Sequence, residues 1–365
     1  IELNNKGRLI IELNHTDNIP KGLSEDKVDN RILAVAAYYK DHHKDAEVTL
    51  VTQDANLRIK ADAFGVNAVD YESPQNQTPD SLYKGFREIK MGDKEIKDIR
   101  KKKKSDWSSE ANPNEFLILQ SEEGQEEVVQ VKGETERTIT TLEKIPAVFG
   151  IEALNAEQVL ALSLLLNPDI PLVTITGKAG TGKTLLAVAA ALHQTLDQQV
   201  YTKVLISRPV FPLGKDIGFL PGTMEEKLDP WMQPIYDNLE FIFSLGKKNQ
   251  RSRETWKELV NQGMLKVEGL TYIRGRSIPQ QYMIIDEAQN LTLHEVKTIV
   301  TRAGKGTKLI FTGDPEQIDN PYVDSQSNGL TQLIERLKDD VLTGHVHLEK
   351  GERSPLAEMA SKKLN

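Results

Sequence analysis

Continuous apolar runs recur in the C-terminal part of the chain, at 172–176 (LVTIT), 204–207 (VLIS), 282–285 (YMII), 308–311 (KLIF) and 345–348 (HVHL). Stretches with helical apolar spacing separate them. Runs without polar alternation suit parallel strands covered on both faces. Residues 145–365 are therefore expected to form an α/β domain, a doubly wound parallel sheet large enough to bury a substantial core.

The pattern is shorter-ranged before that point. In residues 1–72, the runs 8–12 (RLIIE), 47–51 (EVTLV) and 67–70 read as short strands. Residues 24–39, with Ser24 as N-cap, and 56–64 have helical spacing. Alternating strands and helices predict a small α/β unit. Residues 73–144 open with the turn formers Ser73, Pro74 and Pro79. They then carry a basic run, Arg100–Lys104, acids at Glu122, Glu123, Glu126 and Glu127, and β-like stretches at 116–119 and 128–132. This region reads as a linker with a small β-rich module, and the basic run as a solvated loop.

Composition narrows the function classes. The 365 residues suit two or three domains. The formal net charge is -8, so a nucleic-acid partner would need a local basic surface. There are no cysteines, which excludes disulfides, cysteine zinc sites and thiol chemistry. No apolar run approaches the roughly 18 residues of a spanning helix, so no membrane partner is expected and a cytoplasmic location is the default.

The candidate chemistry sits at the ends of the apolar runs. The first run leads into Gly177, Lys178, Ala179, Gly180, Thr181, Gly182, Lys183 and Thr184, and a helix-forming stretch follows. The spacing G-x-x-x-x-G-K-T between strand and helix is a phosphate-binding loop. Its glycines let several N–H groups face one anion, and the helix N-terminus adds positive potential. Lys183 is expected to reach the β- and γ-phosphates of ATP, and the Thr184 hydroxyl to ligate Mg²⁺. The run 282–285 delivers Asp286 and Glu287 to a strand end, where open α/β sheets place ligands. Asp286 would hold Mg²⁺ through water, and Glu287 would serve as general base for the attacking water. A pair of acids there favours hydrolysis over transfer to a metabolite. Gln317, in GDPEQ after the run 308–311, serves equally well as a γ-phosphate sensor, supported by Thr312 and Asp314, or as part of a turn. Gln158, ahead of the first run, serves equally well as an adenine contact or as a polar residue on an amphipathic helix.

These stations in this order resemble the first, RecA-like motor domain of superfamily-one helicases. Further stretches sharpen the likeness: SRP (207–209), DIGFLPG (216–222), EKLDPW (226–231) and YIRGRS (272–277). Together they resemble the PhoH family of ATPases over 145–365. The resemblance implies an RNA partner, with Arg208, Arg274 and Arg276 as RNA or inter-subunit contacts. It also implies that Arg353 acts as a catalytic arginine at the γ-phosphate, in cis or across an interface. Asp29-Asn30-Arg31 and residues 51–56 (VTQDAN) resemble the second half of a PIN-domain nuclease, which implies that Asp29 and Asp54 belong to a Mg²⁺ or Mn²⁺ site for cutting RNA. The opening D-T-N strand of that family and its acidic helix are not in this sequence, so the PIN-like unit reads as partial.

One motor domain is read, not two. The resemblance therefore implies a homo-oligomer, a hexameric ring in which a neighbouring copy completes the ATP site. The leading expectation is ATP-driven RNA unwinding or remodelling attached to a PIN-type ribonuclease. The alternative is a nucleotide-dependent switch or scaffold that binds a PIN or RNA partner without unwinding.

Overall fold

The computed structural model describes residues 10–12, 14–16, 19, 23, 28–44, 46–52, 54–69, 82–209, 224–248, 255–270 and 278–352. The chain divides into two compact units, Ile1–Gln77 and Thr78–Asn365.

In the first unit, α1 (Val28–His42) precedes β1 (Thr49–Val51), α2 (Ala55–Ala63) and β2 (Asn67–Val69). The two strands are parallel, with Thr49 opposite Asn67, so α2 is a right-sized crossover between them. Leu33, Leu50, Leu57, Ala61 and Val66 form its small core. The expected helix at 24–39 is present from Val28, and Ser24 lies outside the described residues. Of the expected strand at 8–12, Arg8 and Leu9 lie outside the described residues; Ile10 to Glu12 are not in a strand, and Ile10 and Ile11 are exposed.

The second unit opens with β3 (Phe86–Lys90), α3 (Asp93–Lys102), β4 (Lys104–Asp106), β5 (Phe116–Gln120), β6 (Glu126–Lys132) and β7 (Thr138–Thr141). They form a five-stranded sheet in the order β3-β5-β6-β7-β4, antiparallel except for β3 beside β5. The basic run is not a loop. Arg100, Lys101 and Lys102 fill the last turn of α3, and Lys103 caps it in a left-handed conformation. Cations are favoured at a helix C-terminus, and Arg100 also meets the acidic stretch: Nε to Glu127 Oε2 at 2.5 Å and a terminal nitrogen to the Glu126 carbonyl at 2.9 Å.

The rest of the second unit contains α4 (Ala156–Leu166), β8 (Leu172–Gly177), α5 (Lys183–Leu192), β9 (Lys203–Arg208), α6 (Met224–Lys248), α7 (Trp256–Asn261), β10 (Leu265–Gly269), β11 (Gln281–Ile285), α8 (Leu293–Val300), β12 (Lys308–Gly313), α9 (Gly329–Leu337) and β13 (Thr343–Leu348). The sheet runs β10-β9-β11-β12-β8-β13, every pair parallel. One face carries Val173, Ile175, Ile284 and Ile310 against α4, α5 and α6; the other carries Met283, Ile285 and Phe311 against α8 and α9. This is the α/β, doubly wound arrangement that the apolar runs predict. β10 is the strand those runs do not reveal, because as an edge strand it mixes Lys266 and Glu268 with its apolar residues.

The small sheet is fastened beside the edge strand of the six-stranded sheet. Asn114 Nδ2 donates to the carbonyls of Val341 and Thr343, both at 2.8 Å, and His347 N donates to the Lys84 carbonyl at 2.9 Å. The lead into β3 thereby covers the open edge of β13. Gly85 has φ +80, and a Cβ there would stand 1.8 Å from the His345 carbonyl oxygen, so only glycine allows the approach.

Candidate functional site

The site forms where β8, β11 and β12 end together. β8 ends at Gly177, and the loop turns into α5 through Gly182, whose φ of +90 makes it a left-handed N-cap. That conformation leaves the first N–H groups of α5 free of intrahelical partners and aimed into the loop. Lys183 Nζ folds back onto the loop, donating to the carbonyls of Gly177 at 2.5 Å and Lys178 at 2.9 Å. Thr181 Oγ1 donates to the Lys178 carbonyl at 3.0 Å. Lys178 pairs with Glu316 at 3.3 Å, both side chains largely exposed. Ala179 and Gly180 form the outer turn, and the Gly180 carbonyl accepts from Glu352 N at 3.0 Å.

The acidic strand end meets this loop directly. Asp286 Oδ1 accepts from Thr184 Oγ1 at 2.8 Å and from Thr312 Oγ1 at 2.7 Å. The Asp286 side chain is buried at 4% exposure, and β12 supplies Thr312 because Ile285 lies opposite Phe311. Glu287 follows with φ +54, a left-handed conformation uncommon outside glycine. Its Oε1 accepts from Arg208 at 3.1 Å and its Oε2 from Gln289 Nε2 at 2.6 Å. Burial raises the Glu287 carboxyl above its ordinary range, the Asp286 charge adds to this, and Gln289, Arg208 and Lys183 offset it.

Gln289 is fully buried and ties this segment to the loop after β12. Its Nε2 also donates to the Gln317 carbonyl at 2.9 Å, and its Oε1 accepts from Asp314 N at 3.1 Å. Gln317 itself is exposed, on a turn closed by its N–H to the Asp314 carbonyl at 3.0 Å. Gln158 is brought to the phosphate loop, in the first turn of α4. Both ends of its amide are engaged there: Oε1 accepts from Leu154 N at 2.8 Å, and Nε2 donates to the Thr181 carbonyl at 3.0 Å.

The remaining expected residues fall elsewhere. Arg208 stands beside Glu287 and not on an open surface. Arg274, Arg276 and Arg353 lie outside the described residues. Asp54 is the N-cap of α2, its Oδ1 accepting from Asn56 N at 2.7 Å and Leu57 N at 3.2 Å, and Asp29 sits in the first turn of α1. Among the described residues, no three acidic or histidine side chains gather into a metal cage. The Thr184 and Asp286 oxygens are hard donors on one spot, a donor set that fits Mg²⁺ sharing its shell with phosphate and water. Sequence reasoning missed the Glu287 contacts of Gln289 and Arg208, although Gln289 lies two residues after Glu287 and Arg208 lies inside SRP.

Residues 150–364 match the family described as PhoH-like protein, and residues 2–72 match the PIN domain family. Protein PhoH2 of Bacillus subtilis (strain 168) is 45% identical over 99% of this chain and 84% of its own length. Protein PhoH2 of Mycolicibacterium smegmatis is 35% identical over 98% of this chain and 79% of its own. Protein PhoH2 of Thermobispora bispora is 33% identical over 98% and 80%. With a phosphate loop, two adjoining acids and this likeness along nearly its whole length, the chain belongs to the PhoH-like family, its phosphate-loop domain preceded by a PIN domain stretch.

Proposed function

We propose that the protein hydrolyses ATP and couples hydrolysis to RNA unwinding or remodelling, working as an oligomeric ring with a PIN-type, metal-dependent ribonuclease attached. The observation that carries the ATPase reading is the meeting of Thr184 Oγ1 and Asp286 Oδ1 at 2.8 Å, with Glu287 next in the chain. Gly177 to Thr184 would cradle the phosphates, with Lys183 leaving its loop carbonyls for the β- and γ-oxygens. Thr184 and Asp286 would hold Mg²⁺, which neutralises phosphate charge when bound. Glu287 takes the proton from the attacking water, and its raised proton affinity suits that role. The motor stations and the PIN stretch support an RNA track, and the same family likeness supports a hexameric ring in the cytoplasm. In that ring, Arg353 would act at the γ-phosphate, in cis or across the interface, and Arg274 and Arg276 would serve across the interface or on RNA.

The test is steady-state ATPase activity with and without single-stranded RNA, alongside strand displacement on an RNA duplex. Wild type should be stimulated by RNA, and Lys183→Ala and Glu287→Gln should both lose turnover, with Glu287→Gln still binding ATP. Hydrolysis indifferent to RNA, together with no displacement, would sink the motor reading. Absence of Mg²⁺- or Mn²⁺-dependent RNA cleavage would sink the ribonuclease half.

A further inference from the structure

Arg208 closes β9, and Glu287 follows β11. These strands are parallel neighbours with Ser207 opposite Ile285, and Asp286 N donates to the Ser207 carbonyl at 2.9 Å. The residues after that pair therefore leave the sheet side by side. The Arg208 guanidinium donates to Glu287 Oε1 at 3.1 Å and, through its other terminal nitrogen, to the Trp231 carbonyl of α6 at 3.3 Å. Its side chain is 20% exposed. Gln289, locked to the loop after β12, takes the other carboxylate oxygen at 2.6 Å. Each oxygen of Glu287 thus has its own fixed donor, one anchored on α6 and one on the loop after β12.

Two features make this more than a surface ion pair. The left-handed backbone at Glu287 persists only where surrounding contacts impose it, and these two donors are such contacts. A guanidinium also presents a planar fork that reaches two acceptors at once, which an ammonium cannot reproduce. An arginine reading RNA phosphates would instead project its head into solvent.

The geometry points to Arg208 as a positioning residue of the hydrolysis site, one that aims the Glu287 carboxylate at the attacking water and does not contact RNA. The inference rests on the reading of Glu287 as the base for ATP hydrolysis. Placement at this level matters because displacing a reacting group by about 1 Å can cost on the order of 100-fold in rate.

The test uses the full chain as wild type, Arg208→Gln, Arg208→Lys, Glu287→Gln and the Arg208→Gln/Glu287→Gln double variant. Three quantities are read: kcat at saturating Mg·ATP, affinity for a fluorescent ATP analogue, and affinity for a labelled single-stranded oligouridine. Arg208→Gln should lower kcat about 10-fold or more while leaving both affinities within about 2-fold, the retained ATP binding doubling as a check on folding. Arg208→Lys should recover only part of the loss. The double variant should be no slower than Glu287→Gln alone, because the arginine acts through the glutamate. Weakened RNA binding with kcat intact at saturating RNA would make Arg208 an RNA contact and overturn the inference. A double variant slower than Glu287→Gln, or lost ATP affinity in both arginine variants, would overturn it in favour of direct phosphate contact. Normal turnover by Glu287→Gln would remove the base reading itself, a signature distinct from the other two.

Discussion

Thr312 donates its hydroxyl to Asp286 Oδ1 at 2.7 Å, the same oxygen that takes the Thr184 hydroxyl at 2.8 Å. Thr312 is fully buried on β12, so it orients the acid from inside the sheet while Thr184 approaches from the phosphate loop. A residue that orients a metal-holding carboxylate typically contributes 10- to 100-fold to metal affinity. Thr312→Val keeps the shape and removes the donor. Its ATPase activity should need roughly 10-fold more Mg²⁺ for half-saturation, with ATP-independent stability little changed. A magnesium titration of the ATPase rate checks this, and an unchanged curve would mean that Asp286 is held adequately by other contacts.

Gln289 joins the acidic segment to the loop after β12 with three hydrogen bonds, to Glu287, Gln317 and Asp314, the last of them buried. Gln289→Leu fills the space but leaves the Asp314 N–H and the Gln317 carbonyl without this partner. An unsatisfied buried group costs about 1–3 kcal/mol, so the Asp314 N–H alone should bring a stability loss of that order in urea denaturation. Turnover should fall as well, because the Glu287 carboxylate loses one of its two donors. A variant of wild-type stability and normal turnover would show that loop and base are independent.

His345 provides a pH test of the sheet beside the loop. Its ring is buried on β13, with Nδ1 2.8 Å from Thr174 Oγ1, and burial with the neighbouring His347 pushes its pKa down to about 3. His347 is lowered by burial too, partly offset by Glu349, Glu157 and Asp314. The unfolded chain, with imidazoles near 6.5, binds more protons than the folded one between that value and about 3. The contribution of this imidazole should therefore be complete above pH 6.5 and be lost as pH drops through that window, by roughly 1.4 kcal/mol per pH unit for a single such group. Denaturation of His345→Gln across the same range should show a shallower slope. An identical slope would assign the acid sensitivity to other groups.

How much of this was legible beforehand depended on range along the chain. Gly177 to Thr184, Asp286 and Glu287 were legible because each lies at the end of a continuous apolar run, within a local motif whose spacing matters. The parallel sheet followed from the same runs. The Arg208–Glu287 contact was not legible, because it depends on β9 and β11 becoming neighbours across 79 positions of sequence. The fate of the Gln158 amide depended on where the Thr181 carbonyl comes to lie. The basic run at Arg100 read as a loop because helix-end preference for cations and solvation produce the same local composition. Its tie to Glu127 belongs to tertiary structure.

Lys308 is the charged residue that an apolar run should not contain, and its burial explains itself. It opens β12 with no exposed surface, and Nζ donates to the carbonyls of Leu164 at 2.9 Å, Asn167 at 2.6 Å and Ile170 at 2.6 Å. Two of these carbonyls belong to the C-terminal end of α4, where a helix leaves acceptors unsatisfied and favours a cation. Burial nevertheless lowers the lysine's pKa from 10.5 to about 7, with Asp169 opposing. Between those values the unfolded chain holds the proton and the folded chain tends to release it, so stability gains from rising pH across the window 7 to 10.5. Lys308→Met removes that slope and takes a donor from three carbonyls, of which those of Leu164 and Asn167 keep the N–H groups of Asn167 at 3.3 Å and Ile170 at 3.4 Å, so at pH 7 it should cost about 1–3 kcal/mol in denaturant unfolding. The loss should shift the end of α4 and, through that helix, the Gln158 brace on the phosphate loop, so ATP affinity should weaken alongside stability. A Lys308→Met protein as stable as wild type, with an unchanged pH slope, would show that water or a backbone shift satisfies these carbonyls without the ammonium.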